Sequence, residues 1–296
     1  MHPLPRNIDS NELIRIISDI SWEVCDLLNS YNKFPNNSSN LDRELNIQNL
    51  DKGPVTEADI KASELIIKRI QSNFPKFEWQ FLSEESNFSK ISFPFEENWV
   101  WIIDPLDGTR DFINGTGEYA MHLALTFMGI PIMGVVLIPY REELWIFYDG
   151  LGTWCETKKS KINKFLLKET TKLSQMRIVT SRSHRSKELI SLIEKIEPKE
   201  LIGMGSVGFK TTAILRDQAD LYISYSPEGQ SCPKDWDIAS PESIIRGAGG
   251  YMTDIKGNNL KFLVDKKFNQ KGMIIASINS NHKLICKEIE NKLKLV

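Results

Sequence analysis

Cysteine is scarce in this 296-residue chain: the four present, Cys25, Cys155, Cys232 and Cys286, include no CxxC pair. That spacing argues against a zinc site or a disulfide framework and fits a reducing, cytoplasmic setting. Excess charge of one sign is also missing, since 37 Lys and Arg against 39 Asp and Glu leave a formal charge of -2. No overall field draws such a chain onto a nucleic-acid polymer or an anionic membrane, so small partners are expected. Long apolar runs are absent too: nothing approaches ~20 residues, and Arg6, Asp9, Glu12 and Arg15 interrupt the N-terminal stretch where a signal peptide needs an apolar core. No membrane segment is expected, and no internal repeat or low-complexity tract stands out.

What is present is ordinary for a folded protein, 41% hydrophobic and 26% charged residues, enough for one large core or two linked ones. Leu13, Ile16, Ile17, Ile20, Val24, Leu27 and Leu28 recur at helical spacing, which predicts an amphipathic helix over residues 9 to 30 with Asp9 or Ser10 as its cap. The Asn- and Ser-rich stretch from residue 31 to 53 reads as a mobile loop, and a second helix is expected from Glu57 to Asn73. WVWII, HLALTFMGIPIMGVVLIPY and ELWIFYDGLGTWC read as strands joined by Gly and Pro turns. Beyond about residue 160 strands and helices alternate, so we place an α+β half over residues 1–160 and an α/β half over 161–296.

Four short segments carry acids that helix or strand packing does not call for: VTEAD (55–59), LSEES (82–86), DPLDGT (104–109) and DWD (235–237). In the third, Asp104 follows an apolar strand, Pro105 halts the ladder, and Gly108 allows a turn that faces Asp107 back towards Asp104. Carboxylates held this close repel one another unless a hard cation such as magnesium neutralises them. Each segment also has a plainer reading. DPLDGT is made of turn formers; Thr56 and Asp59 have the spacing of a helix capping motif; Glu84 and Glu85 fit a loop surface; Asp237 fits an N-cap.

Taken together and in order, the segments resemble the inositol monophosphatase superfamily, with its V-T-x-x-D, E-E, D-P-[LI]-D-G-T and W-D motifs, over roughly residues 51 to 262. The resemblance implies an α/β (α+β) fold, the layered αβαβα sandwich of sugar phosphatases. It also implies two or three magnesium ions held by Glu84, Asp104, the Leu106 carbonyl, Asp107 and Asp237, with Glu85 in support at the edge of the site. Asp59 and Thr109 take the positions that deprotonate the attacking water, and backbone N–H groups near Gly108 and Thr109 are expected to hold phosphate oxygens. Lithium sensitivity is a further implication, and a homodimer is compatible with the sequence.

Three features favour a nucleotide bisphosphate as substrate. Ser181-Arg182-Ser183-His184 resembles the S-R-S-H segment of 3′(2′),5′-bisphosphate nucleotidases and offers donors, Ser181 and His184 among them, for a second phosphate or a ribose. Gly205-Ser206-Val207-Gly208-Phe209-Lys210 resembles their Gly-rich segment, with Ser206 and Lys210 as phosphate contacts. KDWDIASPE resembles the K-x-W-D-x-x-[AS]-P-E of the same group. The first two segments have the local reading of helix starts. The expected reaction is removal of the 3′-phosphate from adenosine 3′,5′-bisphosphate, or its sulfated form, a by-product of sulfate activation. The rivals are an inositol or fructose 1,6-bisphosphate phosphatase and a catalytically silent nucleotide or metal binder; the latter predicts a missing ligand or base, and none is missing.

Overall fold

The computed structural model describes residues 4–5, 8–31, 48–50, 53–86, 93, 95 and 98–294. Helix α1 runs from Ser10 to Tyr31 and α2 from Glu57 to Asn73. Most of the segment expected to be a mobile loop lies outside the described residues. Its described part is not loop but a short hairpin of β1 (Gln48–Leu50) and β2 (Gly53–Val55).

Seven strands form the first sheet in chain order: β3 (Gln80–Ser83), β4 (Trp99–Asp107), β5 (Ala120–Phe127), β6 (Ile130–Ile138), β7 (Glu143–Tyr148), β8 (Gly152–Glu156) and β9 (Lys161–Ile162). All neighbours are antiparallel except β3 and β4. The one-turn helix α3 (Thr109–Ile113) leaves the end of β4. After the last strand of this sheet the chain builds a second one from β10 (Arg177–Ser181), β11 (Glu200–Met204), β12 (Leu221–Ser226), β13 (Tyr251–Asp254) and β14 (Gly272–Ser277), in the order β11-β10-β12-β14-β13. Helices α4 (Lys187–Ile196), α5 (Val207–Leu215), α6 (Asp235–Gly247) and α7 (His282–Leu293) complete it.

Three apolar clusters stack these elements into five layers. Leu13, Ile17 and Ile20 of α1 and Ile66 and Ile70 of α2 pack on Trp101, Ile103 and Val135 of the first sheet. The opposite face of the same strands, Val100, Ile102 and Val136, packs on Phe209 and Ile214 of α5 and Ile244 of α6, which in turn meet Val179, Tyr222 and Ile274 of the second sheet. The outer face of that sheet, Ile178, Ile223 and Ile275, is closed by Leu189 and Leu192 of α4 and Ile285 and Ile289 of α7. Burial on both faces explains why β4 reads as an unbroken apolar run instead of alternating. Each such side chain contributes about 2 kcal/mol by leaving water. The order is the αβαβα sandwich, with α5 and α6 as the central layer.

Candidate active site

Strand period alone would send Asp104 and Asp107 to opposite faces of β4, because successive side chains alternate. The pairing with β5 holds as far as Asp104 opposite His122, then shifts register before Asp107 meets Ala120. That irregularity, between Asp104 and Asp107, brings one oxygen of Asp104, one of Asp107 and a ring nitrogen of His122 within 4.8 Å of each other. Gly108 then turns the chain at φ +91°, a left-handed conformation that side chains disfavour. A Cβ there would also stand 3.2 Å from the Glu118 carbonyl.

The other acids arrive on helix starts and a strand end. Thr56 caps α2, and Asp59 completes the reciprocal box: its Oδ2 accepts the Thr56 amide at 2.9 Å and the Thr56 hydroxyl at 2.5 Å. Its Oδ1 accepts the Thr109 hydroxyl at 3.2 Å, so Asp59 both caps α2 and reaches Thr109. Thr109 reaches the Leu106 carbonyl at the same distance. Glu84 follows β3, tied by its amide to the Ile103 carbonyl at 3.0 Å, and Glu85 lines the cleft beside it. Asp237 is not an N-cap. The helix begins at Asp235, so Asp237 occupies its third position and its carboxylate accepts the Lys234 amide at 2.6 Å.

Burial is the largest influence on these carboxyls, and their neighbours reinforce it. Glu84 is pushed far up by desolvation and then by Asp237 and Glu85; Asp104 by desolvation and then by Glu84 and Asp107. Desolvation and Asp107 raise Asp237 to about 7, and desolvation also raises Asp59. Asp104 Oδ2 is buried and meets no hydrogen-bond donor among the described residues. Mutual repulsion and an orphaned carboxylate oxygen are what a site shaped for a divalent cation presents in protein atoms alone.

A cleft of 810 Å³ runs from these acids to a second, basic end. Asp59, Glu84, Glu85, Asp107, Gly108, Thr109 and Asp237 line one end and Ser181, His184 and Lys210 the other, whereas Asp104 and Leu106 lie buried beneath. Lys210 is 3% exposed, donates to the Gly205 carbonyl, sits 5.7 Å over the Tyr222 ring, and is lowered to about 8, chiefly by desolvation. The Ser181 hydroxyl accepts the His184 amide at 3.0 Å.

Two expectations for this end need correction. Ser206 does not line the cleft: it is 2% exposed, and its hydroxyl caps α5 by accepting the Phe209 amide at 2.9 Å. Nor is the start of α5 an open phosphate cradle, because the Val207 amide is spent on Asp107 Oδ2, the Gly205 amide on Glu118 and the Ser206 amide on the Glu118 carbonyl. The helix start satisfies a carboxylate of the chain itself. Arg182 likewise turns from the cleft to Asp111 at 2.6 Å and Glu118 at 2.5 Å.

Sequence reasoning missed His122 and Glu118. His122 hides inside an otherwise apolar strand; the signal was a lone imidazole in HLALTF. Glu118 gathers Arg182 and Gly205 by its carboxylate and Ser206 by its carbonyl, a role no spacing announces.

The geometry agrees with what the chain resembles. The 3′(2′),5′-bisphosphate nucleotidase CysQ of Buchnera aphidicola is 30% identical over 223 residues, 73% of this chain and 77% of that protein. The CysQ of Salmonella typhimurium is 29% identical over 76% of this chain and 86% of its own length. Among solved structures, the extragenic suppressor protein suhB of Bartonella henselae superposes with a TM-score of 0.73 at 22% identity, covering 96% of this chain and 98% of that one. The inositol monophosphatase of Thermotoga maritima gives 0.71 at 22% identity over 95% and 98%; at such identities the likeness is one of fold. Matched by the family's profile from residue 9 to residue 294, the chain belongs to the inositol monophosphatase family and is a phosphatase.

Proposed function

We propose that the protein is a magnesium-dependent nucleotidase that hydrolyses the 3′-phosphate of adenosine 3′,5′-bisphosphate to AMP and phosphate. The observation that carries the reading is the two-ended cleft: clustered carboxylates at one end and, at the other, the buried ammonium of Lys210 beside Ser181 and His184. A monophosphate needs no second anion site. The relatives named as bisphosphate nucleotidases support the same substrate class.

Glu84, Asp104, the Leu106 carbonyl, Asp107 and Asp237 would hold two or three magnesium ions, which when bound neutralise phosphoryl charge and make water more acidic. Thr109 donates its hydroxyl proton to Asp59, which leaves its oxygen lone pairs free to accept one proton from the attacking water. That proton passes to Asp59 as the Thr109 hydroxyl proton moves across, and burial, by raising Asp59, makes it the better acceptor. The new P–O bond forms opposite the ester oxygen. The P–O bond to the 3′-oxygen breaks, and that oxygen leaves with a proton from solvent. Lys210, with donors to spare beyond Gly205, fixes the 5′-phosphate and holds the 3′-phosphate over the acids. Lithium inhibition and a role in clearing the by-product of sulfate activation follow from this reading.

A comparison of adenosine 3′,5′-bisphosphate with adenosine 3′-monophosphate tests it. The expected result is a kcat/KM preference for the bisphosphate of about 100-fold, as charge-assisted phosphate contacts supply, that collapses in Lys210→Met. Equal turnover of the two, or a preference that survives Lys210→Met, would overturn the assignment of the basic end.

A further inference from the structure

His122 is enclosed completely, at 0% exposure, and among the described residues the polar groups that face its ring are the Trp236 backbone and the Asp107 carboxylate. A buried neutral imidazole normally finds partners, and this chain shows the ordinary solution elsewhere: both nitrogens of His282 are bonded at 2.8 Å, to Thr253 and Ser277. His122 instead points Nε2 towards Asp107, 3.5 Å from Oδ2, too far and too weak for a settled hydrogen bond.

The packing around it is arranged to keep it there. A Cβ on Gly208 would stand 2.3 Å from Nε2, so any side chain at this position would have to displace the imidazole or α5. On β5 His122 is the direct partner of Asp104, whose Oδ2 meets no hydrogen-bond donor among the described residues. One oxygen each of Asp104 and Asp107 and one ring nitrogen of His122 thus lie within 4.8 Å of one another.

We propose that His122 is a protein ligand, joining one oxygen each of Asp104 and Asp107 in a mixed nitrogen–oxygen site that accepts manganese or zinc more readily than an all-oxygen site does. Imidazole is a better ligand for these ions than for magnesium, which prefers hard oxygen donors. The inference rests on the cation-dependent reading above but needs no turnover to be tested.

The test is pulsed EPR of the full-length protein loaded with Mn2+. Wild-type protein should show imidazole nitrogen modulation that changes on 15N-histidine labelling, disappears in His122→Asn and persists in His184→Asn. In parallel, His122→Asn should weaken Zn2+ binding, followed by calorimetry, about tenfold or more while changing Mg2+ binding less than about threefold. Bound Mn2+ without nitrogen modulation in the wild type, or modulation that persists in His122→Asn, overturns the proposal. If His122→Asn does not fold, absence of modulation from the wild type, or its loss in His184→Asn, still overturns the proposal. Magnesium-dependent phosphate release from the same samples separates the two failures: turnover without nitrogen modulation removes only the ligand, and no bound metal with no turnover removes both readings.

Discussion

Without a divalent cation the site should resist its own charge, and Asp237 gives that cost a magnitude. Its pKa is raised from 3.8 to about 7 by desolvation first and then by Asp107. The folded protein therefore holds this proton more tightly than the unfolded chain, and between pH ~4 and ~7 the unfolded state binds fewer protons. Stability is fully present below pH ~4, falls as pH rises through the window, and levels off above it. At 1.36 kcal/mol per pK unit the loss is about 4 kcal/mol. For 296 residues that is about 6 °C in Tm. Asn at position 237 keeps an oxygen to accept the Lys234 amide but never ionises. The assay is thermal melting in EDTA from pH 4 to 8, read as the difference between Asp237→Asn and wild type so that titrations remote from the site cancel. The variant should gain on the wild type by about 4 kcal/mol across the window, and magnesium should stabilise the wild type at pH 8 but the variant far less. A difference that stays flat with pH would refute the claim that uncompensated carboxylates dominate this site.

Other consequences concern the supports of the site. Arg182→Ala removes the bonds that join Asp111 and Glu118 to the Gly203 carbonyl near the end of β11, and should raise KM severalfold while costing about 1 kcal/mol of stability; unchanged KM in steady-state kinetics would deny the clasp a positioning role. His282, lowered by burial to about 4, is neutral when folded, so its contribution is present above pH ~6.5 and is lost as pH falls from there to ~4. The difference between wild type and His282→Gln in urea melts should therefore shrink by about 3 kcal/mol over that window; a constant difference counts against it. Gly208→Ala should destabilise by about 1–3 kcal/mol, because the added methyl meets Nε2 of His122 and, at 2.8 Å, Cγ1 of Val136; a melt matching wild type would show that the imidazole is not held there.

Much of the site was legible because its local chemistry and its function coincide. The T-x-x-D spacing that places the start of α2 at Glu57 is the same feature that puts Asp59 beside Thr109. The D-P-L-D-G-T run told of a turn and of two convergent carboxylates, and the structure adds that a shift of register between Asp104 and Asp107 does the converging. The basic end was less legible. Ser206 and Arg182 have the residue types of phosphate contacts, but their partners, Phe209, Asp111 and Glu118, depend on tertiary geometry that spacing does not encode. The short β1–β2 hairpin was hidden by polar composition, since pairing in so small a unit owes little to apolar alternation.

The most direct test of the central claim is phosphate release from adenosine 3′,5′-bisphosphate, inositol 1-phosphate and fructose 1,6-bisphosphate, each with magnesium and with EDTA. The account predicts that the nucleotide has the highest kcat/KM, that EDTA abolishes its turnover and that Asp104→Asn does the same. Preference for inositol 1-phosphate, or nucleotide hydrolysis that persists in EDTA, would contradict it.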